Sequence, residues 1–82
     1  MSPADQATRS SRALLLGADW AIAHGDVGTV AYIARRLAAS AGGRLQTELL
    51  HIAELCGVDL ELAAHRWPLV RARAWEALAS AR

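Results

Sequence analysis

The stretch Ala13–Ala41 joins a helix that is apolar on almost every side to a second, amphipathic helix through a tight turn. One apolar stripe of the first helix, at helical spacing, comprises Leu14, Leu15, Ala18, Ala21 and Ile22. Leu16 and Trp20, four residues apart, add a second apolar side, and Asp19 and His24 are its polar residues. A helix of this kind is normally surrounded by its own fold or by a partner chain. We therefore expect it to need cover from several neighbours.

Glycine and aspartate divide the rest of the chain into short helices. Gly25 is suited to a left-handed helix end, and Asp26 is suited to cap the next helix. Gly42 and Gly43 form the clearest break, and Asp59 is placed to cap a further helix. The second and third helices are predicted over Val27–Ala41 and about Arg44–Cys56. Their predicted buried faces are Val30, Ile33, Ala34, Leu37 and Ala41, and Leu45, Leu49, Ile52, Ala53 and Cys56.

The two prolines bear on the ends of the first and last helices. Ser2 and Pro3 resemble an N-cap followed by the first helical residue. Pro68 either kinks the fourth helix or starts a fifth over Pro68–Ala79, because proline lacks the amide hydrogen that helix interiors use. The chain is predicted to be one all-α domain over residues 1–82, with 1–10 prone to fraying. Its expected architecture is a compact bundle of four to five short helices, arranged as two helical hairpins.

Length and composition limit the function. A chain of 82 residues buries a marginal core and commonly gains support from oligomerisation, so a homodimer is expected. The lone Cys56 excludes an internal disulfide and favours a reducing compartment, the cytoplasm. A net charge of +1 gives no general attraction to nucleic acid or membranes, and no apolar run has membrane-spanning length. No motif for catalysis or for a cofactor is recognised, and neither is expected.

Tryptophan and arginine supply the candidate partner-binding residues, because both types are enriched at interface hot spots. They are Trp20, Trp67, Arg71, Trp75, Arg66 and Arg73. Trp67, Arg71 and Trp75 share one helix side, where an arginine between two indoles allows cation–π contacts. Trp67 and Trp75 have an alternative role as bulky core residues. Asp19 is alone in its apolar helix, and a buried carboxylate is either paired with a cation or protonated. Arg35, Arg36 and Arg71 are available as partners, and a structural salt bridge is expected.

Two resemblances cover short segments. Residues 52–59, Ile-Ala-Glu-Leu-Cys-Gly-Val-Asp, resemble the centre of helix-turn-helix DNA-binding units, which implies a recognition helix over Leu60–Trp67 and a motif over 49–67. That helix offers Glu61, His65 and Arg66 to DNA, and Arg66 occupies a position that the motif usually gives to an apolar residue. Separately, Leu16-Gly17-x-x-Trp20 resembles the first helix of a tetratricopeptide hairpin, in which the glycine lets a second helix approach closely.

A metal site is a third possibility. Glu48 and His51 have the Glu-x-x-His spacing of di-iron carboxylate bundles, and a complete site would need a second copy across a dimer interface. A solvated polar face explains the same spacing. The sequence thus favours a bacterial-type adaptor, regulator or scaffold that self-associates and binds a protein. DNA binding is the first alternative, and metal binding across a dimer is the second.

Overall fold

The computed structural model describes residues 3–80, with side chains over residues 10–77. Within this range the chain forms four helices: α1 (Pro3–His24), α2 (Val27–Ser40), α3 (Gly43–Cys56) and α4 (Leu60–Ser80). The predicted all-α bundle is confirmed, with four helices in the described residues. The described part of α1 is helical from Pro3 onward, and the predicted N-cap Ser2 lies outside the described residues.

Pro68 does not end α4, which is continuous to Ser80, so of the two predicted alternatives the separate fifth helix does not form. The proline ring lies on the exposed side of the helix. There, water can hydrogen-bond the carbonyl group that loses its amide partner. The buried side is fixed on both sides of the proline, by Trp67 and Val70. Packing therefore outweighs the local cost of the proline.

Helices adjacent in sequence pack against each other. The contact between α2 and α3 is the most extensive, and a smaller contact between α1 and α4 closes the bundle. Most of the predicted inner faces of α2 and α3 are core, with Leu37, Leu49 and Cys56 among the buried residues. Ala41 and Leu45 are only partly buried, and Ala41 follows the last residue of α2. On α1 the core receives Leu15, Ala18 and Ala21, while Leu14 and Ile22 are partly buried against it. On α4 it receives Ala63, Trp67, Val70 and Ala74. No helix of the described residues has the length and hydropathy to cross a membrane.

The turn between α1 and α2 forms as its residue types predict. Gly25 has a φ angle of 68°, in the left-handed region that favours glycine. Asp26 then caps α2: its carboxylate accepts hydrogen bonds from the Thr29 amide at 3.2 Å and the Thr29 hydroxyl at 2.7 Å. Asp59 caps α4 in the same way, accepting from the Leu62 amide at 3.1 Å.

The Asp26 cap should make folding stability dependent on pH. Its hydrogen bonds from Thr29 lower the pKa of Asp26 in the folded state. The stabilisation is therefore fully present above the unfolded-state pKa, about 3.9, and is lost as pH falls through the lower folded pKa. Asp26→Asn keeps an acceptor but loses the charge. Chemical denaturation at several pH values should show a larger loss of stability for wild type than for Asp26→Asn between about pH 5 and pH 2. Equal losses would contradict this role.

Candidate functional site

The outer side of α1 exposes two large apolar residues. Leu16 is 58% exposed and Trp20 is 56% exposed, and both lie in the second half of α1. The adjacent Gly17 instead faces α2, where a Cβ atom added to it would lie 3.2 Å from Cδ1 of Ile33. The close approach expected at Gly17 is thus made by α2. Neither α2 nor α4 covers Leu16 and Trp20, so this side of α1 lacks the several neighbours that we expected.

Four exposed residues form a continuous band along this side of α1, which we call the α1 stripe: Ala13, Leu16, Trp20 and Ala23. Their spacing of three, four and three residues is that of a helix-pairing seam. The small residues stand at the two ends and the large residues in the centre. Along the helix axis, the order of small and large residues is therefore the same in both directions from the level of Ala18.

The Trp20 side chain is held in place by its own helix. The His24 ring stacks on the indole with centroids 4.1 Å apart and planes 20° apart. His24 Nδ1 also lies 2.7 Å from the Trp20 carbonyl oxygen, so Nδ1 carries the hydrogen and donates. An aromatic side chain restrained in this way loses less conformational entropy when it becomes buried against a partner.

Trp67 belongs to the core, not to the surface. It is 3% exposed, and its indole Nε1 donates a 2.7 Å hydrogen bond to Asp19 Oδ1. Asp19 also accepts from Arg71 Nε, at 2.9 Å and 2.7 Å to its two oxygens. The required cation is therefore Arg71 and not Arg35 or Arg36. Trp67 and Arg71, two of the predicted partner-binding residues, join α4 to α1, because each donates hydrogen bonds to Asp19.

Trp75 is half-buried and lies beneath two guanidinium groups. Arg71 Cζ and Arg12 Cζ are each 5.4 Å from the centroid of its ring. Arg71 was expected to make cation–π contacts with two indoles, but it makes one, with Trp75. Its relation to Trp67 is different, because both side chains donate to the carboxylate of Asp19. The cation–π contact of Arg12 with Trp75 was not predicted, because these residues lie on helices that are far apart in the sequence. Trp75 thus helps to close α1 against α4.

Arg66 and Arg73 line a cleft between α3 and α4, which we call the α3–α4 cleft. Its volume is about 380 Å³, and its lining comprises Arg44, Thr47, Glu48, His51, Ile52, Arg66, Leu69, Val70 and Arg73. Glu48 Oε1 accepts from Arg44 Nε at 3.0 Å and also from Arg73 Nη1. Arg66 forms no ion pair with another described residue. The cleft is therefore basic, with one carboxylate among three guanidinium groups.

The features expected of the two alternative functions are only partly present. Val58, the apolar residue of the helix-turn-helix resemblance, is 87% exposed, and Arg66 is exposed as well. Two positions that such motifs give to apolar residues are therefore exposed to solvent in this segment. For a metal, Glu48 already binds two arginines, and the described residues contain no group of three His, Cys, Asp or Glu side chains placed to hold an ion.

A second cavity, between the middle of α1 and the ends of α2, α3 and α4, is apolar and small. It measures about 140 Å³ and is lined by Leu15, Leu37, Leu45 and Leu49 with smaller residues. Ordinary ligand pockets exceed about 300 Å³, so this cavity suits packing better than a cofactor.

Cys56 is buried as predicted, and burial raises the pKa of its thiol more than nearby Arg35 lowers it. A neutral buried thiol is a poor nucleophile.

Comparisons of this chain with models of protein families, with curated proteins and with solved structures gave no match. The functional argument therefore depends on the surfaces described above.

Proposed function

We propose that this chain is a small non-enzymatic helical interaction module of the cytoplasm, an adaptor, regulator or scaffold, that self-associates through the α1 stripe. The observation that carries the proposal is the pairing of Leu16 and Trp20. Both are more than half exposed, four residues apart, on the side of α1 that faces away from the core. Exposed apolar side chains grouped in this way are typical of protein–protein contact sites.

The symmetry of the stripe favours a second copy of the chain as the occupant. A two-fold interface places the same patch of both subunits in contact. Two α1 helices can pair antiparallel with the two-fold axis at the level of Ala18 along the helix. Leu16 then faces the partner subunit's Trp20, and Ala13 faces the partner subunit's Ala23. Large residues then meet in the centre, and small residues let the helix ends approach. Such a pairing would also give this small domain the additional apolar burial that its size calls for.

Light scattering and sedimentation equilibrium at micromolar concentration test self-association directly. Wild type should have a mass above that of the 8.7 kDa chain. Leu16→Glu and Trp20→Glu should each raise the dimer dissociation constant about thirtyfold or more, the effect of losing a hot-spot residue. Both side chains are exposed, so circular dichroism should show an unchanged helix content.

Leu50→Glu is the matched control, since Leu50 is 44% exposed but lies on α3, outside the stripe. It should leave the dissociation constant unchanged within about twofold, the ordinary effect of a change outside the interface. A wild type of one-chain mass, or equal weakening by Leu50→Glu, would contradict the proposal.

A further inference from the structure

We propose that the α3–α4 cleft binds an acidic, leucine-containing helical segment of a protein partner. This inference rests on the proposed function in that it gives the interaction module a partner class. It uses side chains of α3 and α4 and none of the α1 stripe. The two surfaces can therefore be tested separately.

The distribution of charge is the first argument. The whole chain has a net charge of only +1, yet the cleft brings Arg44, Arg66 and Arg73 together around one carboxylate. Two of these guanidinium groups are directed by the same oxygen of Glu48. Each uses one nitrogen in that bond, which leaves its other N–H groups available. Glu48 thus orients donors for a further anion and neutralises only part of their charge.

The residues of α4 that border the cleft give the second argument. Arg66, Leu69 and Arg73 follow each other at i, i+3 and i+7, so they lie along one side of the helix. Leu69 is 69% exposed between the two arginines. A partner helix with acidic residues on either side of an apolar residue matches this order of charge and apolar surface.

The same features favour a peptide over a nucleic acid. A phosphate backbone would meet the exposed Leu69 and the negative charge of Glu48 within the cleft. A carboxylate-bearing helix can place an apolar side chain on Leu69 and direct its acidic residues to Arg66 and Arg73. Bidentate contact between guanidinium and carboxylate then supplies direction as well as attraction.

Fluorescence anisotropy tests this assignment with three labelled probes. The first is a short helical peptide in which two glutamates alternate with two leucines along the sequence. The second is the same peptide with glutamine in place of glutamate. The third is a duplex DNA oligonucleotide. The acidic peptide should bind, and the glutamine peptide should bind about tenfold more weakly or not at all. Tighter binding of the DNA, or equal binding of the glutamine peptide, would overturn the assignment.

Variants then locate the site. Arg66→Gln should weaken binding of the acidic peptide by about tenfold, as expected for loss of a charge-assisted contact. Leu69→Asn should weaken it as well. Arg36→Gln removes the same charge from an exposed position on α2 and should leave binding unchanged. Equal effects of Arg36→Gln and Arg66→Gln would show general charge attraction and overturn the proposed site.

The Leu16→Glu variant separates this result from that of the proposed function. It should bind the acidic peptide as wild type does, because the cleft is formed within one chain. Absence of acidic-peptide binding in a wild type that self-associates would refute the cleft alone. Peptide binding by a wild type of one-chain mass would refute self-association alone.

Discussion

Replacing Trp67 with alanine should remove a large part of the protein's free energy of unfolding at neutral pH. Trp67 is 3% exposed and is the largest side chain that α4 contributes to the core. Truncation of a buried aromatic residue costs about 3–5 kcal/mol, while a domain of this size is stable by about 4–12 kcal/mol. The variant also leaves Asp19 without the hydrogen bond from the indole. Far-UV circular dichroism with urea denaturation measures the loss.

Two further substitutions separate packing from hydrogen bonding. Trp67→Phe keeps most of the buried volume but removes the Nε1 donor to Asp19, and it should cost about 1–2 kcal/mol. Trp20→Ala deletes the same side chain from a position that is 56% exposed, and it should cost less than about 1 kcal/mol. All three are compared in the Leu16→Glu background, because association would otherwise add to apparent stability. A Trp67→Ala protein as stable as Trp20→Ala would show that Trp67 does not hold α4 in the core.

The contrast between these tryptophans shows how far sequence reasoning reaches. Apolar spacing predicted most of the inner faces of the first three helices, because each face is a property of one helix and its period. The caps at Asp26 and Asp59 were likewise predictable, since they involve residues three apart. Pro68 was not decidable, because the continuity of α4 depends on how its buried side packs against other helices.

The sequence allowed a contact between two helices to be predicted only where few residues could serve as the partner. Asp19 needed a cation, and Arg71 was one of three candidates, but the indole of Trp67 as a second donor was not foreseen. The stack of His24 on Trp20 joins residues four apart, so the sequence did contain its signal. The α3–α4 cleft could not be predicted, because its lining comes from two helices whose relative rotation no local pattern determines.

Substitution of Gly17, where α2 approaches α1 closely, should have the second large effect on stability. A Cβ atom at Gly17 would lie 3.2 Å from Ile33 Cδ1, closer than ordinary contact. Gly17→Val adds two further carbon atoms whose positions in a helix are restricted. Either Ile33 must leave its place or α2 must move away from α1. Overpacking of this kind costs about 1–3 kcal/mol, which exceeds the small gain in helix propensity.

Gly28→Ala is the matched control for this prediction. Gly28 also lies within a helix, but its added Cβ would meet its nearest neighbour, Asp26 Oδ1, at an ordinary 3.9 Å. Replacing an exposed helical glycine with alanine should stabilise the protein by about 0.5–1 kcal/mol. Urea denaturation in the Leu16→Glu background should therefore give changes of opposite sign for the two variants. A Gly17→Val protein as stable as its parent would show that the close approach of α2 to α1 at Gly17 does not contribute to stability.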